Sequence, residues 1–269
     1  MQVKNIWVPL SGQIAQQRKV ETIANNIANA NTPGFKRDQL VFKEHLTALT
    51  KGQEDIDIPR KEFSPADFYH TQGGENAFVK VDGSYTIFEQ GQLQPTHNQF
   101  DMALNGQGMF EVLTPNGVRY TRVGSFTLSN EGELVTSNGH KVLRQANDGE
   151  APENRTIKID TGKNFSVSPN GQIFSPDGIV ATLSVVEFQD PHALKKEGNS
   201  LFINNDLANL IRNDVATTVN QGFIESSNVN AVQEMSELIN AHRHFDNIQK
   251  AISTYDNISG RAVNDIAKF

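Results

Sequence analysis

The stretch Ala231-Val232-Gln233-Glu234-Met235-Ser236-Glu237-Leu238-Ile239-Asn240-Ala241-His242-Arg243-His244-Phe245-Asp246-Asn247-Ile248 opens the last 39 residues and decides how the chain is read. Counting from Ala231 in alternating steps of three and four meets Glu234, Leu238, Ala241, Phe245, Ile248, Ile252, Tyr255, Ser259, Ala262 and Ile266. Nine of these eleven positions are apolar. A repeat near 3.5 residues marks a helix whose narrow apolar seam faces another helix. The same count at the other end gives Val3, Ile6, Leu10, Gln13, Gln17, Val20, Ala24 and Ile27, six apolar in eight. Pro9 suits a first turn and disfavours helix at Val8, so the first helix is expected from about Pro9 to Ala30. Asn31-Thr32-Pro33-Gly34 closes it. The second helix is expected from the N-cap candidates Ser226-Ser227-Asn228 to about Ile266, a rod of about 54 Å.

Between the two ends the punctuation changes. Asp82-Gly83, Asn105-Gly106, Asn116-Gly117, Asn138-Gly139, Asp148-Gly149, Asn170-Gly171 and Asp177-Gly178 are signals for type I′ hairpin turns, which need positive φ. Runs such as Phe110-Glu111-Val112-Leu113 and Thr182-Leu183-Ser184-Val185-Val186-Glu187-Phe188 lie between them, several alternating polar and apolar. The fold class is therefore mixed α and β: long N- and C-terminal coiled-coil-like helices flanking a central all-β domain. The divisions fall at 1–35 for the N-terminal helix, 36–76 for an extended linker, 77–225 for the β domain and 226–269 for the C-terminal helix. Within the linker, Lys51 to Asp57 reads as a polar loop and Gly73-Gly74 as a joint before the strands.

Composition narrows the function. With 24 Lys and Arg against 31 Asp and Glu, the net charge is −7, and no basic patch is present for nucleic acid. No apolar run reaches the length of a membrane span, so membrane insertion is not expected. The N-terminus lacks the apolar core and cleavage site of a secretory signal. The absence of cysteine excludes disulfides, thiolate metal sites and cysteine nucleophiles.

No constellation of catalytic residues stands out either. His242 and His244 are two apart on a helix and point apart, and His45, His70, His97, His140 and His192 are scattered. Gly106-Gln107-Gly108 lacks the third glycine and the following helix of a dinucleotide loop. The acid pairs Glu131/Glu133 and Asp55/Asp57 read as solvated surface. Neither a cofactor nor an enzymatic activity is expected. The crowding of Asn25, Asn26, Asn29 and Asn31, poor helix formers, reads as capping or as amides that fix register between subunits.

Three segments resemble the bacterial flagellar rod and hook protein family. The first runs from Ser11-Gly12 through Val20-Glu21-Thr22-Ile23-Ala24-Asn25-Asn26-Ile27-Ala28-Asn29-Ala30-Asn31-Thr32-Pro33-Gly34-Phe35-Lys36-Arg37. The second holds Asp101-Met102-Ala103-Leu104-Asn105-Gly106-Gln107-Gly108-Met109-Phe110, then Tyr120-Thr121-Arg122-Val123-Gly124-Ser125-Phe126 and Gly132-Glu133-Leu134-Val135-Thr136. The third is Gln221-Gly222-Phe223-Ile224-Glu225-Ser226-Ser227-Asn228-Val229-Asn230, with Glu234-Met235 and Arg243 beyond it. Gly117-Val118-Arg119-Tyr120-Thr121-Arg122 is most similar to proximal rod members, with distal rod members next. His97 departs from the pattern, which usually has Gly there.

The resemblance implies a structural subunit of the basal-body rod in the periplasm, the axial drive shaft of the flagellum. Its terminal helices would pair as an inner domain and copies would stack helically, helices innermost. The partners implied are the chain itself, neighbouring rod proteins and the flagellar type III export apparatus, reached without a cleaved signal peptide. The assembly interface is then expected at Leu10, Val20, Ala24, Asn25, Asn26, Ile27 and Asn29 on the first helix. On the second it is expected at Leu238, Ala241, Phe245, Ile248, Ile252, Tyr255 and Ile266. Neither helix buries its seam alone, so both are expected to order fully only on assembly. A secreted β-rich binding or adhesin module is the alternative of a different class. It calls for an aromatic-lined groove, against one Trp and four Tyr.

Overall fold

The computed structural model describes residues 7–47, 76–146, 150–160, 164–212 and 216–266. The expectations for Val3, Ile6, residues 51–57, His70, Gly73-Gly74 and Asp148-Gly149 lie outside them. Two helices, α1 (Trp7–Ala28) and α2 (Ala231–Ile266), flank a β-rich middle. The chain forms two compact units. One comprises Met1–Asn25, Gln39–Ser84 and Val232–Phe269, the other Asn26–Asp38 and Tyr85–Ala231.

In the first unit Pro9 is the third residue of α1, where its missing N–H has no intrahelical partner to lose. The buried side chains of this part of α1 are Ala15 and Ile23, whereas Gln17 and Ala24 of the expected seam are exposed. A Cβ added to Gly12 would meet Ile248 Cδ1 at 3.8 Å, so the covered face of α1 runs through Gly12, Ala15 and Ile23 rather than through Gln17 and Ala24. On α2, Glu234 and Ala241 are buried and Leu238, Phe245, Ile248 and Ile252 half-buried. The helix begins at Ala231, which makes Asn230 the capping position rather than Ser226, Ser227 or Asn228. Strand β1 (Asp38–Thr47) pairs with β2 (Asn76–Thr86) in a two-stranded sheet. Asp82-Gly83 lies within β2 and makes no turn.

The second unit is built on antiparallel strands. β3 (Leu93–Pro95) pairs with β18 (Phe223–Glu225), and β4 (Met102–Asn105) with β17 (Thr218–Gln221). The main sheet has nine strands. In order, β14 (Lys195–Gly198), β15 (Leu201–Ile203), β6 (Gly117–Thr121), β5 (Met109–Thr114), β9 (Lys141–Val142), β8 (Leu134–Thr136) and β7 (Phe126–Leu128) form its path. β13 (Val185–Phe188) joins β5 and carries β16 (Leu210–Ile211). A three-stranded sheet holds β10 (Ser166–Val167), β11 (Gln172–Ser175) and β12 (Gly178–Thr182).

The Asn-Gly and Asp-Gly turns among the described residues are not type I′; the two-residue loop with positive φ at both positions is Asn199-Ser200, between β14 and β15. Among the described residues only His97, Asn199 and Ser200 have positive φ without being glycine, so no Asn or Asp of these dipeptides supplies it. The loops 129–133, 136–140 and 168–172 instead share one plan. The first residue's N–H donates to the carbonyl of the fifth, and the fourth, a left-handed Gly132, Gly139 or Gly171, donates back to the first. This is a type I turn closed by a glycine bulge. Ser129, Thr136 and Ser168 reinforce it by accepting a backbone N–H inside the loop.

Strand β5 is covered on both faces. Phe110 and Val112 enter the larger core with Met102, Leu104, Phe126 and Leu134. Met109 enters a second cluster with Tyr120, Phe188 and Phe202. Glu133, expected on the solvated surface, is 5% exposed and paired with Lys141 at 2.7 Å. Its hydrogen bond from Lys141 holds the carboxyl below the usual range.

Candidate functional site

Among the described residues a lysine, Lys36, is as fully buried as the core phenylalanines, at 1% exposure. Burying a charge is costly unless it is paired and hydrogen-bonded, so its surroundings identify the part of the molecule built with most constraint. Lys36 follows the turns that end α1. Its neighbour Gly34 is left-handed, with φ 67°, and donates its N–H to the Glu225 carbonyl at 2.8 Å. A Cβ at Gly34 would lie 2.6 Å from the Arg122 carbonyl carbon, so only glycine permits this approach.

Lys36 Nζ donates to Glu225 Oε1 at 2.6 Å and to the Glu89 carbonyl at 2.7 Å. Glu225 Oε1 also accepts the Gly91 N–H at 2.8 Å, and Oε2 accepts Arg122 Nη1 at 3.3 Å. Arg122 Nη2 reaches the Gly106 carbonyl at 2.5 Å. Two cations thus share one carboxylate, all three side chains being at most 2% exposed. Burial pulls the Lys36 ammonium below its ordinary range, and Glu225 opposes that shift. Burial likewise lowers Arg122, with Glu225 and Glu187 opposing.

Around this cluster, side-chain amides stand in for strand neighbours. Asn26 donates Nδ2 to the Asp38 carbonyl at 2.9 Å and accepts the Asp38 N–H at 3.0 Å, both ends of one peptide-like pair. Asn228 does the same for the next segment. It accepts the Arg37 N–H at 2.7 Å and donates to the Ile87 carbonyl at 2.8 Å. The Asp38 carboxylate accepts Thr86 Oγ1 at 2.7 Å and Lys196 Nζ at 2.8 Å, and that ammonium lies 3.9 Å from the Phe35 ring centroid. At Gly124 a Cβ would lie 1.6 Å from the Met102 carbonyl oxygen, so this backbone contact also admits no side chain.

A second buried carboxylate sits in β5. Glu111 is fully buried and accepts Ser184 Oγ at 2.6 Å, Arg155 Nη2 at 2.5 Å and a two-pronged contact from Arg212 at 2.7 and 3.1 Å. Burial alone would push its carboxyl up, but the bonds from Ser184, Arg212 and Arg155 together hold it below the usual range. Burial, with the nearby Glu111 charge, raises the Tyr120 hydroxyl to about 12.

Chemically these are clamps. Their acceptors and cations are engaged within the chain, and among the described residues no group of three His, Asp or Glu is placed to hold a metal ion. The expected interface residues are distributed differently. Leu10, Val20, Ile27 and Asn29 are half-buried, Ala24 and Asn25 exposed, and Tyr255 is 55% exposed. The side chain of Ile266 is outside the described residues. Asn26 is 1% exposed with both ends of its amide on Asp38. Lys36, Asp38, Arg122, Glu225 and Asn228 were missed as site residues although four of them lie inside the quoted motifs. The available signal was charged side chains within glycine-rich runs whose neighbours are apolar. For Glu111 it was one acid in an otherwise buried strand.

Residues 103–179 match the family described as flagellar hook protein FlgE/F/G D1 domain. Residues 220–265 match the flagellar basal body rod FlgEFG protein C-terminal family, and 8–36 the flagella basal body rod protein family. The flagellar basal-body rod protein FlgG of Borreliella burgdorferi is 33% identical over 274 residues, covering 97% of this chain and 98% of its own. FlgG of Bacillus subtilis is 32% identical over 279 residues, covering 97% and 98%. The flagellar basal-body rod protein FlgF of Caulobacter vibrioides is 32% identical over 264 residues, covering 98% of each. The three matched segments contain Asn26 to Lys36, Arg122 and Gly124, and Glu225 with Asn228, which the fold brings together in the buried ionic cluster.

Proposed function

The chain belongs to the flagellar basal-body rod and hook protein family, and from that premise we propose that it is a proximal rod subunit of the FlgF kind. It is a structural protein, not an enzyme, and a component of the basal-body rod. The observation that carries the mechanical part of this reading is the Lys36–Glu225–Arg122 cluster. The chain leaves α1 through it and enters α2 from it, so load along either helix passes into a clamp of charge-assisted bonds. Copies stack through α1 and α2, which act as a coiled-coil-like inner domain. The half-buried Leu238, Phe245, Ile248 and Ile252 and the exposed Ala24, Asn25 and Tyr255 complete their burial on assembly. Neighbouring rod proteins are the partners. The type III apparatus exports the chain unfolded and without a cleaved signal peptide, which its lack of cysteine suits. No helix among the described residues is long and apolar enough to cross a membrane.

What supports the proximal position is the stretch Gly117 to Arg122, most of it in β6, where Arg119 pairs with Glu197. The 33% identity to a FlgG favours the distal reading as the second. Complementation separates them. Expression in a strain lacking its proximal rod subunit restores swimming, and crosslinking places the chain next to the other proximal components. Rescue only of a strain lacking the distal subunit overturns the proximal assignment.

A further inference from the structure

β12 is the outer strand of its three-stranded sheet; on the side away from β11 the Thr182 carbonyl accepts the Gln145 N–H at 2.8 Å, and no ladder partner covers Gly178 to Ala181 among the described residues. Its register with β11 runs Gln172↔Thr182 and Ile173↔Ala181, then shifts to Phe174↔Ile179 and Ser175↔Gly178, which leaves Val180 as an extra residue. In a regular ladder Ile179 would oppose Ser175 and share the face of Ile173, which is fully buried. The bulge turns it to the other face, beside Phe174. The result is an apolar patch of Phe174 at 36%, Ile179 at 63% and Val180 at 41% exposure. Gly178-Ile179-Val180-Ala181-Thr182 carries no charge, although exposed edge strands are ordinarily guarded by charged side chains.

We propose that this edge is a lateral contact for a second copy of the chain in the assembled rod, an inference that rests on the rod-subunit reading. The size of the patch selects the occupant. The three side chains offer roughly 250 Å² of apolar surface, against about 800 Å² per partner in a stable complex. Free chains therefore do not dimerise through it. A neighbour already held by helix stacking meets it at high effective concentration, where a contact too weak for solution becomes saturated. Main-chain bonds along the part of the edge before Thr182, whose own carbonyl is taken by Gln145, add to the side-chain contact, as in strand addition.

The cysteine-free sequence provides a clean test. Ile179→Cys is made in the full chain, and maleimide labelling is timed on the purified monomer and on isolated rods containing the variant. The monomer labels as an exposed thiol does and the rod at least ten-fold more slowly, while the urea midpoint of the monomer is unchanged. In a second arm, Ile179→Lys lowers the amount of chain recovered in rods at least three-fold with the monomer still folded. Equal labelling rates in monomer and rod, with normal incorporation of Ile179→Lys, overturn the contact and leave the rod reading standing. A wild-type chain that enters no rod overturns the rod reading and the contact together.

Discussion

Two substitutions in the buried cluster, Glu225→Gln and Lys36→Met, should have very unequal effects. Lys36 and Arg122 share the single carboxylate of Glu225, so the three side chains carry a net charge of +1 out of water. Glu225→Gln raises that to +2 and leaves two cations with one neutral acceptor. Removing one partner of a buried pair costs about 3–5 kcal/mol, and the upper half of that range applies where two cations are stranded. Lys36→Met acts in the opposite sense, reducing the net charge to zero and leaving Glu225 with Arg122 and the Gly91 N–H. It forfeits the bonds to Glu225 and to the Glu89 carbonyl, but the latter still accepts from Asn228 at 3.2 Å. The loss is about 1–3 kcal/mol, because the ammonium no longer has to be desolvated. The difference, about 2 kcal/mol, is roughly a 30-fold change in the unfolding constant. Urea unfolding followed by the β-sheet circular dichroism signal measures it, provided the slope stays the same across variants. The double variant should lose less than the sum of the two single losses. A Lys36→Met loss equal to or above that of Glu225→Gln would refute the charge-balance reasoning.

Four further outcomes are expected. His97 holds φ 59° where a side chain is strained, so His97→Gly should stabilise by about 0.5–1 kcal/mol and His97→Val should destabilise by about 1 kcal/mol, read from urea midpoints. Gly124→Ala must displace the Met102 backbone and should cost about 4 kcal/mol or more, seen as loss of the cooperative sheet transition. The Glu111 carboxyl lies below its unfolded value of 4.5. The stability it contributes is fully present above that pH and is lost as pH falls through the lower folded value, and Glu111→Gln should flatten this acid limb. Tyr120 titrates near 12 rather than 10, so its neutral form favours the folded state. Stability should fall between about pH 10 and 12, with one tyrosine ionising late in the ultraviolet difference spectrum.

The helices and the β-rich middle were legible because each depends on a period in the chain. α2 ends at Ile266 where expected, but begins at Ala231, a few residues after the capping candidates Ser226 to Asn228. Several turns were legible in position but not in type, and Asp82-Gly83 in neither, since it lies within β2. Asn and Asp before glycine fit both I′ turns and type I turns with a glycine bulge, and only the flanking register decides between them. The burial phase of α1 escaped detection because the count from Val3 steps past Gly12, Ala15 and Ile23, and only packing in space, with Ile248 beside Gly12, shows which face is covered. The cluster itself was hidden for a different reason. Lys36, Arg122 and Glu225 each look like ordinary surface charges until their distances in space are known.

Lys36 and Glu225 stand 189 positions apart in sequence. A chain emerging amino end first therefore holds two uncompensated cations, Lys36 and Arg122, until residue 225 of 269 has appeared. The short-range clasp of Asn26 on Asp38 can close early, spanning 12 positions, but the last lock waits for almost the full length. Arrival of that one glutamate thus times the maturation of the β-rich unit. A product truncated before it should remain a substrate for proteolysis rather than a competitor for a place in the shaft.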